Sequence, residues 1–279
     1  MPRLRSKLAL VVALAAVALT AACASDGGKS TAPQASSSSA QSALYDPQAV
    51  PTGPVGDAIK VGHDIIMDPQ KYLPNDVVSD MSCGACHIAG GTVKRGGTFA
   101  GVYARFPQWN KRSKRVITLQ DRLAECFLYS MNGKPPAYTS KEMNAMVAYI
   151  AYLSRDVPVG AKQSKDDRFI VALPSSPPDT ARGATLYAQK CSLCHQANGA
   201  GVHGAFPPLW GAKSFNNGAG MSHIQMMTGF VFYNMPQNAP GSLSLQDAYD
   251  ISGWVLTHSR PKFQKERIIT QPAVPAKFF

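Results

Sequence analysis

Apolar residues recur at helical spacing in several short segments of this chain, set apart by stretches rich in glycine and proline. In residues 56–67 the positions of Ile59, Ile65, Ile66 and Met67 predict a first helix. A stronger run opens at Thr118. Leu119, Leu123, Cys126 and Phe127 share one face there, and Asp121 stands at capping-box spacing from Thr118. Gly133 and the Pro135, Pro136 pair end it. Thr139, with Glu142 as its box partner, opens another helix that carries Met143, Met146, Val147, Ile150 and Leu153. Residues 156–178 hold four prolines and the charged cluster Lys162, Lys165, Asp166, Asp167 and Arg168, the composition of a linker. A second unit follows the same order: a helix over 179–190, a Gly- and Pro-rich stretch, and a closing helix over 245–258 capped by Ser244. The pattern predicts an all-α chain of two tandem modules, 44–155 and 179–262, related by internal duplication, with a tail at 263–279.

The N-terminus is patterned differently. Arg3, Arg5 and Lys7 precede an apolar run over 8–19 and the small residues Thr20, Ala21 and Ala22, so residues 1–22 read as a secretory signal peptide. Its end resembles a bacterial lipoprotein cleavage site with Cys23 as the lipid-bearing residue; cleavage near Ala24 is the alternative. Residues 23–43 are Ser, Ala, Gly and Lys without apolar period, a disordered tether. The expected location is the periplasm, with a lipid anchor through Cys23 where lipidation occurs.

The formal charge of +11 and a pI near 9.4 favour anionic substrates or acidic redox partners. Nucleic acid is excluded by export and by the lack of a recognition motif.

Candidate chemistry lies in the cysteines. Cys83-Gly-Ala-Cys86-His87 and Cys191-Ser-Leu-Cys194-His195 are two copies of C-x-x-C-H, the attachment site of a c-type haem. Each thiol pair closes thioethers on one porphyrin, and His87 and His195 become proximal iron ligands. Two covalently bound haems c are therefore expected, in two modules like class I cytochromes c. For the sixth ligand of the second haem, Met235 stands 40 residues after His195 and before Pro236, and resembles the methionine loop of small cytochromes c, with Met221 as the fallback. In the first module Cys126, 39 residues after His87, competes with Met131, 44 residues after it. An inward helix face and the absence of a disulfide partner favour the thiol. Spacing leaves both open.

The segment 121–134, from Asp121 through Cys126 to Lys134, together with Phe106-Pro-Gln-Trp109, Phe215-Asn-Asn-Gly-Ala-Gly-Met221 and Asn234-Met235-Pro236, resembles the dihaem thiosulfate dehydrogenases over roughly residues 56–260. That resemblance implies a His/Cys-ligated catalytic haem in the first module and an electron-exporting haem in the second. It also implies that two thiosulfates couple to tetrathionate, a reaction the family also runs in reverse, with electrons leaving to a soluble or membrane-bound cytochrome. Asn234 stands where some members carry a lysine that exchanges with the methionine, so ligand switching is not expected here. Two dianions about 6 Å apart at an effective dielectric near 20 repel by roughly 11 kcal/mol, which calls for cations. The run 111–115 with its Lys and Arg residues, Lys94, Arg95 and Arg122 supply them, and Arg112 and Arg122 are the expected oxyanion clamps. Ser130 and Asn132 are further donors, and Lys134 a weaker one. As a thiolate, Cys126 would lower the potential of the catalytic iron or form an adduct with a substrate sulfur. Two other readings share the haem motifs: a dihaem electron carrier with Met131 on the first iron, and a cytochrome subunit of a sulfur-oxidation multienzyme system.

Overall fold

In the computed structural model, which describes residues 44–265, each haem motif follows a helix that crosses the closing helix of its module at a glycine. The first module is built from α1 (Pro54–Met67), α2 (Leu119–Tyr129) and α3 (Lys141–Tyr152). The second is built from α4 (Thr180–Lys190), α5 (Ile224–Asn234) and α6 (Leu245–Thr257). At the crossing of α1 and α3, a Cβ on Gly62 would lie 2.0 Å from the Ala145 carbonyl oxygen and 2.8 Å from Cβ of Tyr149. At the crossing of α4 and α6, a Cβ on Gly183 would lie 2.1 Å from the Asp250 carbonyl oxygen and 3.0 Å from Cβ of Trp254. The two modules thus use one solution: a glycine admits the partner backbone, and an aromatic residue one turn on flanks it. The tandem cytochrome c architecture expected from the sequence is the one observed.

Local sequence explains most helix ends. Thr118 and Asp121 form a reciprocal capping box at the start of α2, as do Ser244 and Asp247 at the start of α6. Asp179 caps α4 by accepting from the Arg182 N–H. The third helix begins one residue later than its Thr139 box predicts, because Ser140 accepts from the Met143 N–H and serves as the cap. Helix α5 lies inside the stretch read as Gly- and Pro-rich loop. It is apolar on nearly every side, with Met227 and Phe230 buried, so it lacks the amphipathic period that marks a surface helix.

The only sheet among the described residues is a hairpin of β1 (Gln108–Asn110) and β2 (Arg115–Ile117), paired antiparallel with Trp109 opposite Val116. Its turn carries the basic run. Asn110 organises that turn by accepting from the N–H groups of Arg112 (2.8 Å) and Ser113 (3.1 Å).

Residues 156–178 contain one short 3₁₀ turn, Lys165–Asp167, and none of them is buried, yet the segment touches the second module. Phe169 meets Phe230 of α5 edge to face at 5.7 Å. Several contacts between the modules are directed to backbone atoms. Asn216, fully buried, donates to the Leu128 carbonyl oxygen at 2.8 Å, and its own N–H donates to the Tyr129 carbonyl oxygen at 3.1 Å. Phe263, read as the first residue of the tail, packs on Tyr129 with ring centroids 4.5 Å apart. The signal segment, the whole tether with Cys23, and the tail beyond residue 265 lie outside the described residues.

Candidate functional site: a cavity between the first haem motif and the Cys126 helix

A cavity of about 420 Å³ separates the first C-x-x-C-H motif from α2. Cys83, Cys86 and His87 line one part of it, and Leu119, Arg122, Leu123, Cys126, Phe127, Ser130 and Met131 line another. The fold brings them together simply. Ser82 caps the 3₁₀ turn Cys83–Ala85, which sets the two thiols and the imidazole, while the capping box at Thr118 fixes the start of α2 and hence which face looks inward.

His87 is held by its Nδ1, 2.5 Å from the Gly97 carbonyl oxygen, which leaves Nε2 for iron. Burial pushes its pKa down to about 4 against the pull of that carbonyl, so the imidazole is neutral, as a ligand must be. Gly97 has φ +71° and a Cβ there would meet the Cys86 carbonyl oxygen at 2.4 Å, so only glycine brings the carbonyl to the ring. Phe99 stacks on the other side, 4.2 Å between ring centroids.

Opposite, Cys126 is partly accessible while Met131 is only 1% exposed and embedded in the core. An anion on Cys126 raises the pKa of Cys83 and Cys86 behind the dominant effect of burial, and it is the first cause of the raised pKa of Arg122. Arg122 lines the cavity and pairs with Glu125 at 3.0 Å. Glu125 is buried and accepts from Asn110 Nδ2 at 2.9 Å, so the hairpin steadies the carboxylate that steadies the arginine. Nothing in the reading of the sequence singled out Glu125, although Arg122 and Glu125 stand at the i, i+3 spacing of a helical ion pair.

The remaining predicted cations divide. Arg112 is exposed and does not line the cavity; its guanidinium lies 4.0 Å over the ring of Tyr129, itself one turn beyond Cys126. Lys111 and Lys114 are exposed on the hairpin turn. Arg115 pairs with Asp121 at 2.8 Å. Arg95 faces the second module instead. Ser130 caps the C-terminal end of α2 and lines the cavity, whereas Asn132 is engaged with Asn216 at 3.2 Å.

The cavity suits a c-type haem. Its walls join two thiols and a neutral imidazole to apolar side chains, and at another part of the lining the Nε of Arg105 is buried without a partner, a donor suited to a propionate. Asp167, Arg168, Phe169, Ile170 and Met226 also line it, so the linker and α5 help to close the first module's site.

In the second module His195 Nδ1 lies 2.9 Å from the Pro207 carbonyl oxygen, again freeing Nε2. Tyr187 donates to the Gln196 carbonyl oxygen at 2.7 Å, as Tyr149 does to that of Gly90 at 2.8 Å. Cys191, Cys194 and His195 form the matching donor set. Met235 is the C-cap residue of α5, partly buried, with its N–H on the Val231 carbonyl oxygen at 3.0 Å. His258 stacks on Trp210 at 4.0 Å, and His223 is exposed.

Comparison with known proteins agrees with this geometry. A family model described as SoxA/TsdA, cytochrome c domain, matches residues 74–159, and one described as cytochrome c matches residues 180–259. The thiosulfate dehydrogenase of Allochromatium vinosum is 39% identical over 225 residues, covering 77% of this chain and 83% of that protein. That of Thiomonas intermedia is 35% identical over 271 residues, covering 92% and 86%. The solved structure of thiosulfate dehydrogenase TsdBA from Marichromatium purpuratum superposes with a TM-score of 0.73 at 29% identity over 83% of this chain, which spans 50% of that longer chain. Two cytochrome c domains carry two c-type haems.

Proposed function

Because the chain belongs to the thiosulfate dehydrogenase family, we propose that it couples two thiosulfate ions to tetrathionate at the Cys126 face of the first cavity, in the periplasm. The observation that carries the reading is the shared cavity of Cys83, Cys86, His87, Cys126 and Arg122. A dihaem electron carrier needs no arginine held beside the iron's distal ligand, whereas a sulfur-anion oxidase does.

When bound, the haem iron supplies a one-electron acceptor. The residues supply the rest. His87, fixed by Gly97, and Cys126 would hold the iron of the first haem, and His195 and Met235 that of the second. Arg122, kept in place by Glu125, binds a sulfonate through its guanidinium fork and offsets part of the repulsion between two dianions. Arg112, stacked on Tyr129, extends the positive field from the hairpin, and the Ser130 hydroxyl donates to a sulfonate oxygen. Two thiosulfates each lose one electron, their outer sulfurs join, and no proton is transferred. The Cys126 sulfur either stays as ligand, or it joins the first thiosulfate in a disulfide-type adduct, the thiolate and that thiosulfate together giving up both electrons to the two haems; the second thiosulfate then attacks the adduct, displaces the Cys126 thiolate and forms tetrathionate with no further electron lost. A haem held by Cys191, Cys194, His195 and Met235 would pass the electrons on to a cytochrome acceptor, and the same Cys126 site serves tetrathionate reduction when the potentials favour it. Cys23 is the proposed lipid anchor.

Steady-state oxidation of thiosulfate with ferricyanide, with tetrathionate measured as product, tests the reading. Turnover with two thiosulfates consumed per tetrathionate supports it. A protein that is reduced and reoxidised by other cytochromes yet leaves thiosulfate untouched is a carrier.

A further inference from the structure

The loop that holds His87 is itself held from the second module. Three consecutive residues do the work. Gly97 offers its carbonyl to His87 Nδ1, and Gly96 offers its own to the Ile88 N–H at 2.8 Å. Arg95, before them, offers its carbonyl to Asn234 Nδ2 at 2.8 Å. Asn234 is buried at the end of α5, directly before Met235, and its Nδ2 also donates to the Phe230 carbonyl oxygen at 3.0 Å.

Arg95 has φ +59°, in the left-handed region that is unfavourable for a non-glycine residue. Such a conformation persists where surroundings over-determine it. Here its guanidinium lies 4.5 Å over the ring of Tyr233, its Nε donates to the Asp166 carbonyl oxygen at 3.3 Å, and a terminal nitrogen meets the Asp166 carboxylate at 3.5 Å. The first module's strained residue is therefore pinned by the linker and by the two residues that precede Met235.

We infer that Asn234 is a positioning residue for both haems: through the Arg95 carbonyl it ties the Met235 ligand of the second iron to the loop that orients the His87 ligand of the first. The inference rests on His87 and Met235 being ligands, as proposed above. Its physical basis is general. A carbonyl that accepts from the distal nitrogen of an imidazole sets the ring's orientation and basicity, and so tunes the metal it binds. Displacing the segment 95–97 changes that bond, and displacing Asn234 changes the seat of Met235. One hydrogen bond belongs to both.

The test uses the full-length protein with both haems attached. Asn234→Ser retains a hydroxyl within reach of the Phe230 carbonyl, as serine does on helices, but is too short for Arg95. Arg95→Ala removes the Asp166 and Tyr233 contacts from the other side and leaves α5 intact. The readouts are the methionine-to-iron charge-transfer band and the two midpoint potentials from spectropotentiometry. The expected result is a weakened band and a shift of both potentials in Asn234→Ser, and a shift of both in Arg95→Ala. A shift confined to the second haem in Asn234→Ser, or no shift of the second haem in Arg95→Ala, overturns the inference. Should one variant fail to fold, the other still decides it. Absence of the methionine band in the unmodified protein would instead overturn the Met235 assignment, which keeps the two failures apart.

Discussion

Arg122 and Glu125 form a 3.0 Å ion pair on the turn of helix that leads into Cys126, and Arg122 is the partner that lines the cavity. The pair supplies orientation as well as charge, because Glu125 is buried and in turn fixed by Asn110. Charge-assisted hydrogen bonds are worth about 1.5–3 kcal/mol, so Arg122→Ala is expected to lower kcat/KM for thiosulfate by roughly 10- to 100-fold. Arg122→Lys should restore only part of it, since an ammonium cannot make the forked contact. Steady-state kinetics at fixed ionic strength checks both.

Cys126 follows Arg122 by one helical turn and lines the same cavity. Cys126→Gly is expected to abolish turnover while leaving both haems attached, because attachment depends on Cys83, Cys86, Cys191 and Cys194. Haem staining and the pyridine haemochrome spectrum measure attachment, and the ferricyanide assay measures turnover.

Acid should weaken the same helix at its other end. Burial alone would raise the Asp121 carboxyl, but Arg115 at 2.8 Å, the Tyr138 hydroxyl at 2.6 Å and the Thr118 N–H hold it down at about 2. A carboxylate depressed in the folded state contributes stability above its unfolded pKa of about 3.9 and loses it as pH falls toward the folded value. Thermal melts between pH 4 and pH 2 should therefore show a loss of roughly 2 kcal/mol that is absent in Asp121→Asn, whose stability is lower at neutral pH.

Most of this was legible in the sequence, and for identifiable reasons. Covalent chemistry demands fixed spacings, so Cys83, Cys86, His87, Cys191, Cys194 and His195 announce themselves. Capping boxes are local, so the start of α2 at Thr118 could be read directly. What escaped is non-local. Helix α5 is buried on most sides and carries no amphipathic period, and the hairpin that displays Arg112 is only three residues per strand. Glu125 looked like one more charge on a helix until its burial showed otherwise. Arg95 read as part of a cationic cluster at the first haem, yet its partners are Asp166 and Tyr233, more than seventy and one hundred residues away.

The shared helix crossing makes its own prediction. Gly62→Ala and Gly183→Ala each drive a methyl into the backbone of the facing helix, at Ala145 and Asp250 respectively. Each should destabilise its module by about 1–3 kcal/mol, the usual cost of overpacking. Differential scanning calorimetry of the two variants, with both haems attached, reads the losses separately.

Electron paramagnetic resonance of the fully oxidised protein tests the role of Cys126 most directly. A low-spin ferric signal of the thiolate-imidazole type, accounting for one of the two haems and vanishing in Cys126→Gly, is the expected result. Two methionine-imidazole signals, unchanged by that substitution, would contradict it and leave Met131 as the ligand that faces His87.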